Sequence, residues 1–390
     1  MKIGYITDER YPSVHTDTQQ VVKTAEALGQ EGASVDLIPP RMARHLFKPA
    51  AARKEEICRH FNVEGRFEIR DILSWPASDL RIEKFFHGIV APLRTAFRDY
   101  DVVYTRNLLP VSIASLLRQP VLFETYRALP RSDPRAWMVV RRAAAGARFL
   151  GVSTHSEYSR RVMVEAGMDP AAVEAIPNGF DPADFEGLPN REEARAAIGA
   201  DRDAPLAVYT GHIRPDKGIG SLLDLAEDCP ECSVLIVGGS PDEVDRVERE
   251  AHARSLGNVR LTGHVPVARV PLHLTAADVL LLPPTAGPLL HAGRTVLPMK
   301  TFTYLAAGRP ILAPDLPDTE GILVDGANGL RVPPDDRAAA AAALRRLVAD
   351  PVLGSTLGRR AREDSARYTW RGRARALLSF MERRLAAIPG

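Results

Sequence analysis

Short runs of three to six residues that are apolar almost throughout recur along the 390-residue chain, separated by stretches with helical spacing. A strand that is apolar on both sides has to be buried on both sides, so this alternation calls for parallel sheets covered by helices on each face. In the first half, residues 2–7, 34–38, 101–105, 121–124, 149–153 and 173–176 read as strands. A helix over 18–30 places Val21, Val22, Ala25, Ala27 and Leu28 near the helical period, with Asp17 or Thr16 as its expected cap. Further helices are expected over 110–117, 134–145 and 156–166. Turn residues Pro177-Asn178-Gly179-Phe180-Asp181 and then Leu188-Pro189-Asn190 interrupt the pattern. It resumes with strands over 206–210, 233–237, 259–261, 279–282, 311–313 and 329–332, an alanine-rich helix over 336–348 and another helix after Pro351. The fold class is therefore α/β, and the length exceeds what one core usually supports, so two doubly wound domains are expected.

A net charge of +2 is too small for a nucleic-acid binder, which needs a basic footprint able to displace many counterions. Three cysteines make no secreted disulfide framework. Cys229 and Cys232 are close in sequence, but no second pair or nearby histidine completes a zinc set, so they read as loop thiols rather than a redox or metal site. The first eight residues reach Asp8 after one short apolar run and lack the core of a signal peptide, which sets the expectation of a cytoplasmic protein.

The densest chemistry lies in Y-T-G-H-I-R-P-D-K-G at residues 209–218. An apolar strand breaks at Gly211 and then presents Arg214 and Lys217 ahead of a helix, where a phosphate would sit. Gly238-Gly239-Ser240 ends another strand in the same half, an arrangement that lets backbone approach a ligand closely. In the first half, Glu124 stands at a strand end as either a cleft residue or a partner of Arg106. His155 starts a helix as a cap, a hinge or a ligand contact. The loop 8–18 offers Arg10, His15 and Thr16, and its lack of G-x-G-x-x-G argues against a dinucleotide-binding dehydrogenase. Arg41, Arg44, Lys48, Arg53 and Lys54, with Trp137, Arg141 and Arg142 on a later helix, read as a solvated basic face or a peripheral membrane contact.

Residues 209–218, together with P-M-K-T-F-T-Y-L-A-A-G-R-P-I-L-A-P-D at 298–315, resemble the donor half of the family 4 glycosyltransferases, retaining enzymes of the GT-B fold. The resemblance implies two Rossmann-like domains facing a central cleft. Residues 1–184 would form the acceptor-binding domain, joined by a closing helix over 368–390, and residues 185–367 the donor-binding domain. It implies sugar transfer from a nucleotide-diphosphate donor (UDP, GDP, ADP or dTDP) to the hydroxyl of a glycan, lipid-linked or small-molecule acceptor, with no metal and no other cofactor.

Lys217 and Gly211 match the family's lysine and strand-end glycine. His212 stands where the family carries arginine, so Arg214 or Arg294 is expected to supply that charge. Gly238 and Gly239 line the donor, and His264 and Val265 follow as base contacts. The family's two glutamates fall on Thr295 and Thr303. Related sequences with Pro-x-Lys-x-Phe-Glu-Tyr match residues 298–304, including Lys300, everywhere but Thr303. A threonine hydroxyl contributes about 1 kcal/mol where a charged partner gives about 2, so weaker ribose recognition is expected. Tyr126 takes the place of a histidine that retaining relatives put near the reacting sugar, and with Glu124 it completes the expected catalytic set. The missing acids also allow a partner protein that kept the fold and lost the reaction, or another nucleotide-sugar reaction such as epimerisation.

Overall fold

The computed structural model describes residues 1–13, 15–41, 45, 47–73, 80–287 and 297–388. The chain packs as two units, residues 1–178 with 370–390, and residues 179–369. The first changeover comes six residues before the 184/185 boundary read from sequence. Phe180 and Phe185 explain the difference, because their rings meet at 5.7 Å inside the second unit's core. At the other end Tyr368 packs on Phe302, and the changeover falls after Thr369 rather than after residue 367.

The first unit's strands are β1 (Lys2–Ile6), β2 (Ser34–Ile38), β3 (Pro40–Arg41), β4 (Glu68–Ile69), β5 (Ile72–Leu73), β6 (Val102–Thr105), β7 (Val121–Thr125), β8 (Phe149–Thr154) and β9 (Val173–Ala175). Among the described residues they form a parallel sheet in the order β4-β2-β1-β6-β7-β8-β9, with β3 and β5 as a separate short pair. Its helices are α1 (Thr16–Gln30), α2 (Ala50–Phe61), α3 (Leu80–Ala96), α4 (Leu108–Leu116), α5 (Leu129–Ser132), α6 (Pro134–Ala144) and α7 (Glu157–Glu165). The expected caps of α1 are corrected: Thr16 and Asp17 both lie inside its first turn, His15 occupies the cap position, and no side chain caps it.

The second unit has β10 (Leu206–Thr210), β11 (Ser233–Val237), β12 (Val259–Gly263), β13 (Val279–Leu281), β14 (Ile311–Pro314) and β15 (Leu330–Val332), parallel in the order β12-β11-β10-β13-β14-β15. Its helices are α8 (Arg191–Ile198), α9 (Ile219–Asp228), α10 (Pro241–Ala253), α11 (Val270–Ala276), α12 (Lys300–Ala307), α13 (Arg337–Ala349) and α14 (Pro351–Ser365). β10 shows why its sequence reads as a continuous apolar run. Ala207 and Tyr209 enter one core with α9 and α13, while Leu206 and Val208 enter another with α11 and α12. The last helix, α15 (Trp370–Ala386), packs along α1 and belongs to the first unit.

In each sheet the strand order reverses once, between β1 and β6 and between β10 and β13. Ligands of doubly wound sheets bind outside the carboxyl ends of the strands at such points. The loop after β1 and Arg106 after β6 lie at the first, and residues 211–218 after β10 at the second. Among the described residues, no helix is long and apolar enough to cross a membrane.

Candidate active site

In the second unit, three strand ends are stitched together by backbone. The Gly211 amide donates to the Val237 carbonyl and the Gly238 amide to the Gly263 carbonyl, both at 2.9 Å. Gly238 has a φ of 128°, and a side chain there would place its first carbon 2.1 Å from the Gly211 carbonyl oxygen, so only glycine lets β10 and β11 end side by side. Gly239 is covered by Ile213 and faces packing rather than open space. Beyond Gly211 the chain makes a 3-10 turn over Pro215–Lys217 and enters α9 through Gly218 in a left-handed conformation.

The N-terminus of α9 carries no side-chain cap, whereas that of α10 is closed by the Ser240 and Glu243 capping box. The α9 terminus therefore keeps amides able to receive an anion, and Lys217 precedes it directly. Arg214 grips Asp216 with two bonds of 3.0 and 3.2 Å, and the Lys217 ammonium lies 3.3 Å from the same carboxylate. These side chains are largely exposed, so the pairs are weak and an incoming phosphate competes with Asp216 on favourable terms. His212 is half-buried. Burial, then Arg214 and Lys217, lower its pKa below the ordinary histidine value, so it adds no full charge near neutral pH.

Lys300, at the start of α12, brings its ammonium 3.7 Å from the centre of the Tyr209 ring and beside Gly211. Tyr209 donates to the His212 carbonyl at 2.7 Å, and Tyr304 accepts from the Thr210 amide at 2.8 Å, fixing the end of β10. Thr303 is partly buried and donates its hydroxyl to the Lys300 carbonyl at 2.9 Å, one turn back in its own helix. Its oxygen keeps acceptor capacity only. His264 is exposed, and Val265 packs at the edge of the core beneath it. Arg294 and Thr295 lie outside the described residues. Arg246 of α10 donates to the Ile213 carbonyl at 2.5 Å and adds a cation near the turn that sequence reading missed, since nothing in α10's own pattern points there.

In the first unit the expected role of Glu124 is corrected. It is fully buried, and its carboxylate accepts from Gln20 at 2.7 Å, Arg373 at 2.6 Å, Tyr5 at 3.4 Å and Tyr104, with His155 Nε2 at 2.5 Å. A carboxylate enclosed this way does not reach a substrate. Its ion-pair partner is Arg373 of α15, not Arg106, which donates to Gln20 at 2.6 Å and to the Asp17 carbonyl at 3.3 Å. Burial raises the Glu124 pKa, but Arg373, His155 and Arg106 outweigh it and hold the group well below the usual carboxylate range. His155 is buried too and belongs to this network, with Nδ1 3.4 Å from Asn178; Ser156, not His155, caps α7.

Tyr126 is half-buried at the surface of the network. The guanidinium groups of Arg106 and Arg127 lie 5.8 and 5.4 Å from its ring centre. Of the β1 loop candidates, Arg10 is held by the buried Glu83 of α3, while His15 and Thr16 are exposed. The basic stretch is also corrected. Arg53 is buried against Asp71, Lys48 pairs with Glu56, Lys54 pairs with Glu68, and Trp137 sits in the core. Arg141 and Arg142 are exposed, and Arg44 lies outside the described residues. Cys229 and Cys232 are buried, and burial pushes the Cys232 thiol up to about 12, so both are inert core groups.

Two family models cover most of the chain. "Glycosyltransferase Family 4" matches residues 18–184 and "Glycosyl transferases group 1" matches residues 190–364. The chain belongs to glycosyltransferase family 4. It is 33% identical to a phosphatidyl-myo-inositol mannosyltransferase of Mycolicibacterium smegmatis over 57% of this chain and 54% of that one. It is 27% identical to a D-inositol 3-phosphate glycosyltransferase of Kineococcus radiotolerans over 59% and 56%. The matched stretches thus span about half the length of these curated relatives.

Among solved structures, a sucrose-phosphate synthase from Thermosynechococcus elongatus superimposes with a TM-score of 0.78 at 20% identity over 99% of both chains. Anabaena HepE, solved in complex with UDP, gives 0.75 at 16% over 98% of this chain and 100% of that one. The fold is GT-B.

Proposed function

We propose that this chain is a retaining glycosyltransferase, moving a sugar from a nucleotide-diphosphate donor held by residues 179–369 to a hydroxyl acceptor recognised by the first unit. The observation that carries the reading is the uncapped N-terminus of α9 beside Lys217 and Arg214, at the point where the sheet order reverses. As the sugar bond breaks, negative charge grows on the departing β-phosphate, and fixed cations and helix amides at that place stabilise the transition state more than the ground state. Lys217 and the α9 amides take the phosphate oxygens, Arg214 follows once Asp216 is displaced, and Gly211 and Gly238 let the backbone come close. Base contact falls to His264 and Val265, and the ribose to Thr303.

The acceptor's proton passes to the departing phosphate, which removes the need for a protein base. This fits the sealed position of Glu124. Tyr126, flanked by Arg106 and Arg127, donates a hydrogen bond on the acceptor side. The two guanidiniums suit an acceptor that carries a phosphate, as the acceptors named for the two inositol relatives do.

The reading includes a cytoplasmic enzyme that works at a membrane surface. Three free thiols fit a reducing compartment. Helix α3 buries Glu83, His87, Ala91 and Thr95 and turns Ile82, Phe85, Phe86 and Leu93 outward, with Phe97 just beyond it and Arg94 and Arg98 exposed alongside. An apolar face rimmed by cations suits an anionic lipid surface.

The test is release of nucleoside diphosphate by the purified chain from UDP-, GDP-, ADP- and dTDP-sugars with phosphorylated and lipid acceptors. One donor should turn over, and Lys217→Ala should lower kcat by roughly a hundredfold or more. No release from any donor would favour a partner protein that lost the reaction. An unchanged Lys217→Ala rate would remove that residue from the site.

A further inference from the structure

Among the charged side chains of the donor turn, Lys300 stands apart. Arg214 and Lys217 share the one Asp216 carboxylate, and Arg246 donates to the Ile213 carbonyl. The Lys300 ammonium has no carboxylate partner among the described residues, and residues 288–296, just before it in the chain, contain no acid. Its neighbours are the Tyr209 ring at 3.7 Å and the backbone of Gly211. A side-chain carbon on Gly211 would fall 2.8 Å from Nζ, so the glycine at the end of β10 also makes room for this ammonium. Among the described residues the charged and titratable groups around it are Lys217 and His212 on the turn, Tyr209 on β10 and Tyr304 on α12, with Asp216 beyond Lys217 as the nearest negative charge.

We propose that Lys300 is the cation that receives the donor's diphosphate at the end of β10, and that diphosphate binding favours its protonated form. This deepens the donor reading above and rests on it. A buried ammonium beside a second lysine, without an anion, is costly to keep charged, and the Tyr209 face offsets only part of that cost. Burial, and then Lys217, hold the Lys300 pKa well below the ordinary lysine value. A diphosphate supplies the missing counter-charge, so its binding raises the Lys300 pKa again and favours the ammonium form.

Calorimetric titration of the whole chain with UDP, GDP, ADP and dTDP tests this at pH 8, where the free diphosphates are fully ionised, in two buffers of different ionisation enthalpy. The nucleotide that binds should bring more protons into the wild type than into Lys300→Met. Lys300→Met should bind it at least tenfold more weakly and take up fewer protons. Lys300→Arg, charged at every pH, should bind within a few-fold of wild type with less uptake than wild type, and it carries the test if the methionine variant fails to fold. Equal affinity or equal uptake in Lys300→Met overturns the proposal and leaves the donor reading standing. If no nucleotide binds the wild type, the donor reading fails and this proposal with it.

Discussion

Thr303 shows how much one side chain settles. Its hydroxyl hydrogen is committed to the Lys300 carbonyl, so to a ribose bound there, as proposed, it offers only a neutral acceptor. A carboxylate at that position accepts from both ribose hydroxyls with charge assistance, so Thr303→Glu should tighten donor binding by about tenfold. Weaker binding by the variant counts against a ribose at this place. The buried histidines make a second residue-scale prediction. Burial lowers His155 to about 4 despite Glu124, and burial lowers His87 to about 4 despite backbone partners and Glu83. Unfolded, each titrates near 6.5, so between pH 6.5 and 4 the unfolded chain binds more protons and stability falls as pH falls. Going from pH 7 to 5 should cost about 2 kcal/mol per histidine, read from urea unfolding, with Glu124 adding its own loss only below its unfolded pKa near 4.3. A flat stability between pH 7 and 5 would contradict this.

At the scale of elements, α3 is inverted relative to an ordinary surface helix: it turns Glu83 and His87 inward and Phe85 outward. Replacing Phe85, Phe86 and Phe97 by serine should abolish co-sedimentation with anionic lipid vesicles while leaving the unfolding transition in place, and Arg94→Glu should weaken it. Equal sedimentation of all variants would remove the membrane from the reading. This inversion is also why α3 was not legible beforehand, since its apolar residues do not mark its core face and Pro92 interrupts the pattern. Polar α2 and the two-residue strands β3, β4 and β5 gave equally little periodic signal. The central strands were legible because burial on both faces leaves them apolar throughout. The donor turn was legible because its glycines and cations lie within ten residues. The Glu124 network was not, because Gln20, His155 and Arg373 meet it across large separations that spacing does not record.

For the whole molecule, the family assignment fixes the GT-B fold, and within the second unit the structure brings the turn after β10 together with the start of α12. The account as a whole rests on a nucleotide diphosphate occupying that junction. Hydrogen–deuterium exchange of the intact chain, with and without the nucleotide that binds, tests it most directly. The prediction is slowed exchange at residues 211–221 and 298–304, at the uncapped start of α9 and around Lys300. Slowing confined to residues 106–127 in the first unit, with 211–221 unchanged, would contradict the account.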